Sequence, residues 1–176
     1  MDPGAAPVVA SHRLFLALWP DEGVRRQLST HASQWTWPSA CVPYAPADWH
    51  VTLHFIGDVN SDRVADIAAS IAVPVQPCEL ILDQPGLWRH GLAVLGASEV
   101  PAALLTMHDQ LGDTLRKLAL PVDTRPYQPH VTLARRASGA ILPITPKPVV
   151  WRVSNFALVV SLREKDRRYQ VICRYH

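Results

Sequence analysis

The tetrapeptide His-Val-Thr-Leu stands at residues 50–53 and again at residues 130–133, and no other feature constrains the fold of this chain as strongly. Val, Thr and Leu are common strand residues, so the echo alone says little. Its flanks give it weight. Before the first copy, RLFLALW (13–19) has the length of a buried strand, and Pro20, Asp21 and Glu22 suit the first turn of a helix. Val24, Leu28, Ala32 and Trp35 recur at helical spacing, which predicts a helix over 20–35. A proline-rich loop then leads into WHVTLHFIG (49–57), read as a strand stopped by Gly57. Before the second copy, GLAVLGAS reads as a strand. Leu104, Leu111, Leu115 and Leu118 mark a helix over 101–118, and PVDTRPYQP is a loop leading into HVTLARR. Strand, helix, proline-rich loop and HVTL strand thus follow one another twice, the signature of an internal duplication.

The remaining segments fill in an α/β chain of the α+β kind. Val64, Ile67, Ala68 and Ile71 predict a helix capped by Asn60 or Ser61. CELILDQPG and GLAVLGAS read as strands around a turn at Gly86–Gly91, and WRVSNFALVVSL and RYQVICRYH as a closing pair turned by REKDR.

Composition excludes several classes. With 48% hydrophobic and 18% charged residues over 176 positions, the chain has the balance of a globular protein with a sizeable core. A formal charge of +2 offers no broad basic footprint, so any nucleic-acid contact is local, at a chain end or short piece. No apolar run reaches membrane-span length, and MDPGAAPVVASH lacks the pattern of a signal peptide. Residues 1–12 are expected to be a flexible extension, and 13–176 a single bilobed domain. Cys41, Cys78 and Cys173 are odd in number and widely spaced, which favours reduced thiols and a cytoplasmic setting.

Side chains alternate along a strand, so His50 and Thr52 share one face while Val51, Leu53 and Phe55 take the other. His130 and Thr132 repeat the arrangement. If the halves face each other across a groove, two imidazoles can act as general acid and general base near neutral pH, and two hydroxyls can hold anionic oxygens. Alternation also puts His54 on the His50 face, at the groove edge. It puts Arg135 opposite His130 unless the strand bends near Ala134, while Arg136 is in phase. No carboxylate follows either histidine within four residues, and His54 is the only extra ligand type there, so no metal or other cofactor is expected. Neither G-x-S-x-G nor a phosphate-cradling glycine loop is present.

On these residues the chain resembles the 2H phosphoesterases, defined by two His-x-Thr-x motifs on a duplicated α/β fold. Within them it is most similar to the bacterial-type RNA 2',3'-cyclic phosphodiesterases, also called 2'-5' RNA ligases. RLFLALWP, HVTLHFIGDV, YQPHVTLARR, VSNFALVVSL and RYQVICRY carry the likeness from about Arg13 to Tyr175. The resemblance implies two antiparallel-rich sheets lining a central groove with helices outside, and hydrolysis of 2',3'-cyclic phosphates at RNA 3' ends or on nucleotides to 2'-phosphomonoesters. It implies His50 as proton donor, His130 as proton acceptor, and Thr52, Thr132 and Arg135 as phosphate-binding residues, in a monomer without an obligate protein partner. Two rivals share these residues: a phosphodiesterase for a 2'-5' linkage, a cyclic nucleotide or an ADP-ribose derivative, and a module that binds a nucleotide or RNA end without turnover.

Overall fold

The computed structural model describes residues 10–162, 164 and 168–176. Its strands are β1 (Ser11–Leu18), β2 (Val42–Pro43), β3 (Val51–Asn60), β4 (Cys78–Leu82), β5 (Gln84–Trp88), β6 (Leu92–Gly96), β7 (His130–Arg135), β8 (Val149–Val153), β9 (Phe156–Ser161) and β10 (Tyr169–Tyr175). Its helices are α1 (Glu22–Ala32), α2 (Val64–Ser70) and α3 (Ala102–Lys117). Asp21 caps α1 by accepting from the Val24 N–H at 2.8 Å, which starts the helix at Glu22, two residues after the proline. The turn expected over REKDR, apart from Glu164, and residues 1–9 of the expected extension lie outside the described residues. Ser11 and His12 do not belong to an extension: they pair with Asn60 and Val59.

The strand order is β10-β9-β1-β3-β7-β6-β5, with β2 attached to β7, and every neighbour runs antiparallel. The two expected sheets are therefore joined into one, and the join is a single pair, Val51 opposite Val131. The expected turn at Gly86–Gly91 is instead shorter, because Gly86 lies within β5. The CELIL segment leaves for a separate ribbon, β4 with β8. Gln27 of α1 seals one edge of that ribbon, its amide accepting from the Val150 N–H (2.9 Å) and donating to the Val150 carbonyl (3.1 Å).

Leu14, Leu16 and Leu18 of β1 enter the main core, which also takes Leu104, Met107, Leu111 and Leu115 of α3 and Leu80 and Trp151 of the ribbon. The opposite face of β1 is buried too. Phe15 and Ala17 pack with Ala157 and Val159 of β9, so the near-continuous apolar run of β1 reflects burial on both faces.

Strand β3 departs twice from regular pairing with β1. Leu14 opposes Gly57 while Phe15 opposes Phe55, and Leu16 opposes His54 while Ala17 opposes Thr52. Ile56 and Leu53 are thus extra residues, and each bulge reverses the phase of the residues after it. Gly57 does not stop the strand, as its sequence position suggested. It supplies a φ of +86° at the first bulge, and β3 runs on to Asn60. An added Cβ at Gly57 would meet nothing within 4 Å, so only backbone strain opposes a side chain there.

Gly57→Ala is expected to lower unfolding free energy by about 1–2 kcal/mol with the urea m-value unchanged. A chemical-denaturation curve superimposable on the wild type would show that this bulge does not require positive φ.

Candidate active site

With Val51 opposite Val131 in an antiparallel pair, His50 falls beside Thr132 and Thr52 beside His130. The two motif copies are therefore related by a local twofold axis through the valine pair. Both valines are fully buried, so the flanking residues project onto the opposite face, where all four are partly exposed. Direct neighbours across a ladder have Cβ atoms about 5 Å apart and diagonal ones about 7–8 Å. That diagonal is the His50–His130 relation, a gap that one phosphate can bridge.

Each imidazole is held in the same way. His50 Nδ1–H donates to the Asp48 carbonyl and His130 Nδ1–H donates to the Gln128 carbonyl, both at 2.7 Å. A carbonyl only accepts, so each Nδ1 carries the hydrogen and each Nε2 is left as the atom that takes or gives a proton. The duplication thus extends to the anchoring of the rings by the backbone two residues upstream.

The surroundings of the two rings differ. His50 stacks on Trp19 (5.4 Å between centroids, 8° between planes) and packs against Phe15 at 5.0 Å and Tyr169 at 5.1 Å. Burial, with further contributions from the charges of His130 and Arg168, lowers the His50 pKa from 6.5 to about 4, against the raising effect of the Asp48 bond. His130 meets Trp88 at 4.2 Å. Burial lowers its pKa as well, opposed by the Gln128 bond.

Two predicted positions need correction, and a bulge explains both. His54 was expected on the His50 face. The extra residue at Leu53 turns it inward, where it is 3% exposed and its Nε2–H donates to the His108 carbonyl (2.8 Å). Phe55 takes the groove face instead and is 67% exposed. In β7, Ala93 opposes Ala134 while Val94 opposes Thr132, so Leu133 is the matching extra residue. Leu133 and Ala134 are both buried, and Arg135 swings to the groove, its guanidinium 5.4 Å from the Tyr44 ring centroid. The bend near Ala134 that Arg135 required is present. Arg136, the alternative, follows the strand at φ +51° and is exposed.

Past the valine pair the two strands part, and Tyr127 fills the split. Its hydroxyl donates to the Thr52 carbonyl (3.2 Å), and its ring stacks on His108 (4.0 Å), which stacks on His54 (4.1 Å). Gly112 of α3 faces this stack, where an added Cβ would touch His54 Cε1 at 3.4 Å. A cleft of about 380 Å³ opens over the split, lined among others by Thr52, Phe55, Trp88, Arg125, Tyr127 and His130.

The rings around His50, the Trp88 contact, Tyr127 and Arg168 were not singled out from sequence. One of them was accessible: Phe15, Ala17 and Trp19 alternate along β1, which puts Trp19 in phase with the groove. The others depend on which strand lies beside which. Among the described residues, no group of three or more His, Cys, Asp or Glu side chains comes together in a metal-binding arrangement, and no helix is long and apolar enough to cross a membrane.

A family model described as the 2'-5' RNA ligase superfamily matches residues 24–165. The RNA 2',3'-cyclic phosphodiesterase of Escherichia coli (strain K12) is 30% identical over 168 residues, covering 93% of this chain and 95% of that protein. The enzyme of the same name from Geobacillus stearothermophilus is 26% identical over 148 residues, covering 73% of this chain and 45% of that one. The crystal structure of E. coli LigT complexed with 3'-AMP has a TM-score of 0.83 and 27% identity, covering 94% of this chain and 98% of that one.

In the free protein, NMR titration of the ring signals should give His50 a midpoint of about 4, below that of His130. Adding inorganic phosphate should raise both midpoints, because an anion at the Nε2 atoms favours the protonated rings, and phosphate should accordingly bind more tightly as pH falls. A His50 midpoint at or above 6.5 would contradict the burial of this ring.

Proposed function

The chain belongs to the 2'-5' RNA ligase superfamily, and on that premise we propose that it hydrolyses 2',3'-cyclic phosphates at RNA 3' ends to 2'-phosphomonoesters. The observation that carries this reading is the pairing of Val51 with Val131, which sets two His–Thr pairs across one gap with both Nε2 atoms free. In the reaction a water oxygen attacks phosphorus and the bond from phosphorus to the ribose 3' oxygen breaks. The base takes a proton from the water, and the acid gives one to the departing oxygen. His130 serves as base and His50 as acid, while the hydroxyls of Thr52 and Thr132 donate to the phosphoryl oxygens and Arg135 offsets their charge.

An acid must carry its proton at the working pH. For His50 at about 4, protonation at pH 7 costs about 4 kcal/mol in the free protein, so the substrate anion has to offset this when it binds. The same observation favours a second reading in which the roles are exchanged: the more deeply buried His50 stays neutral as base and His130 donates. Both readings use one proton shared between two rings, and both give a bell-shaped pH profile.

His50→Ala and His130→Ala should each lower kcat on a nucleoside 2',3'-cyclic phosphate by roughly a hundred- to ten-thousand-fold, and the double variant by less than the product. Exhaustive chelation should leave the wild-type rate intact. A phosphodiester with an activated leaving group no longer needs the acid, so it should rescue His50→Ala and not His130→Ala. Rescue of His130→Ala alone would exchange the roles, and rescue of neither or both would defeat the division into acid and base.

A further inference from the structure

Arg168 is a cation at the groove that the reaction does not use. It stands just before β10, its carbonyl accepting from the Leu162 N–H (2.7 Å), so its backbone is tied to the end of β9. Its guanidinium lies 4.5 Å from the Tyr44 ring centroid and 5.7 Å from that of Tyr169, the ring that meets His50. The Arg135 guanidinium lies against the same Tyr44 ring. Two cations on one aromatic ring are each attracted to its face but repel one another. Among the described residues neither forms a salt bridge. The Asp48 carboxylate feels the charge of Arg168 without coming within salt-bridge distance of it.

The placement of the pair along the groove matters as much as its charge. Strand β7 runs from His130, beside Thr52, past Thr132, beside His50, to Arg135, which pairs with Val42 of β2. Both guanidiniums therefore lie beyond the His50 end of the site. The His130 end carries Phe55 and Trp88. The His130 end also carries Arg125, but that guanidinium is paired with Asp123, whereas Arg135 and Arg168 at the His50 end have no such partner among the described residues.

One reacting phosphate, flanked by two histidines and two threonines and reached by Arg135, leaves a second guanidinium over. We infer that Arg168 is a subsite for the next phosphate of an RNA strand, the diester on the 5' oxygen of the ribose that bears the cyclic phosphate. The strand then enters from the His50 end, and its terminal nucleoside points toward Phe55 and Trp88. This rests on the phosphodiesterase reading and narrows its substrate from any nucleoside 2',3'-cyclic phosphate to a strand of at least two nucleotides.

The test compares kcat/KM for a dinucleotide ending in a 2',3'-cyclic phosphate with that for the mononucleoside 2',3'-cyclic phosphate, at several salt concentrations. The wild type should prefer the dinucleotide by about tenfold or more at low salt, and added salt should erode that preference. Arg168→Gln should bring the ratio to within about threefold of one and flatten its salt dependence by roughly 0.7 in log–log slope, one phosphate contact. Arg168→Lys should retain the salt dependence, since it keeps the charge. The ratio is its own control for folding, because a misfolded fraction lowers both rates alike. A wild type without preference, or an Arg168→Gln ratio equal to the wild-type ratio, overturns the subsite while both substrates are still hydrolysed and the phosphodiesterase reading stands. If the wild type hydrolyses neither substrate, that reading fails and the subsite fails with it.

Discussion

The site rests on one backbone pairing. Val51 and Val131 form the single ladder contact between β3 and β7, and both are fully buried. Their burial fixes the register. A slip of one residue would send a histidine and a threonine into the core and bring valine to the groove, an exchange that costs both desolvation and lost apolar burial. The position of the four polar groups is thus secured by the hydrophobic effect acting on the residues between them, and no direct contact among the four is needed.

Beyond that pair the strands separate, and the separation is itself held open. Tyr127 lies in the split with its hydroxyl on the Thr52 carbonyl, backed by His108 and His54. Thr52 would otherwise lose its cross-strand support on this side. Tyr127 also lies next to Gln128, whose carbonyl anchors His130. A rigid stack reaching from α3 to both motif copies therefore sets the width of the gap as well as its register. His54 belongs to this support and not to the proposed reacting pair, which its inward turn at the Leu53 bulge makes possible.

The sequence made the frame legible because the frame is periodic. Helical spacing placed α1 and α3 to within a few residues, an apolar run placed β1, and the repeated motif placed the four polar side chains on one face; WRVSNFALVVSL, read as one strand, is instead split at Ser154–Asn155 between β8 of the ribbon and β9 of the main sheet. What was lost was phase. Alternation fails wherever a strand gains a residue, and the bulges at Leu53 and Leu133 lie immediately after the segments read most securely. A bulge leaves no mark in composition when its extra residue is leucine, which any strand would bury. Only Gly57, with its positive φ, carried a sequence cue, and that cue reads equally well as a stop. The rings around His50 were hidden for another reason. Tyr169 and Trp19 reach it from β10 and β1, and strand order across a sheet is not a property of any local window.

The two bulges also explain how a duplicated backbone yields an asymmetric site. They occur at equivalent places, so the fifth residue after each histidine swings to the groove in both halves: Phe55 in one, Arg135 in the other. A shared backbone device delivers different chemistry at the two ends. The same division appears in the rings. Four aromatic and cationic neighbours, Phe15, Trp19, Tyr169 and Arg168, surround or bias His50, whereas among the described residues Trp88 alone stacks near His130. A symmetric pair of histidines would titrate alike and could not hold one proton at a defined ring. Acid–base catalysis needs their proton affinities pushed apart, and here the separation comes from what the outer strands β1 and β10 contribute on one side only. The twofold frame supplies the geometry of two imidazoles facing one gap. The unequal shells give the two imidazoles different surroundings within that frame.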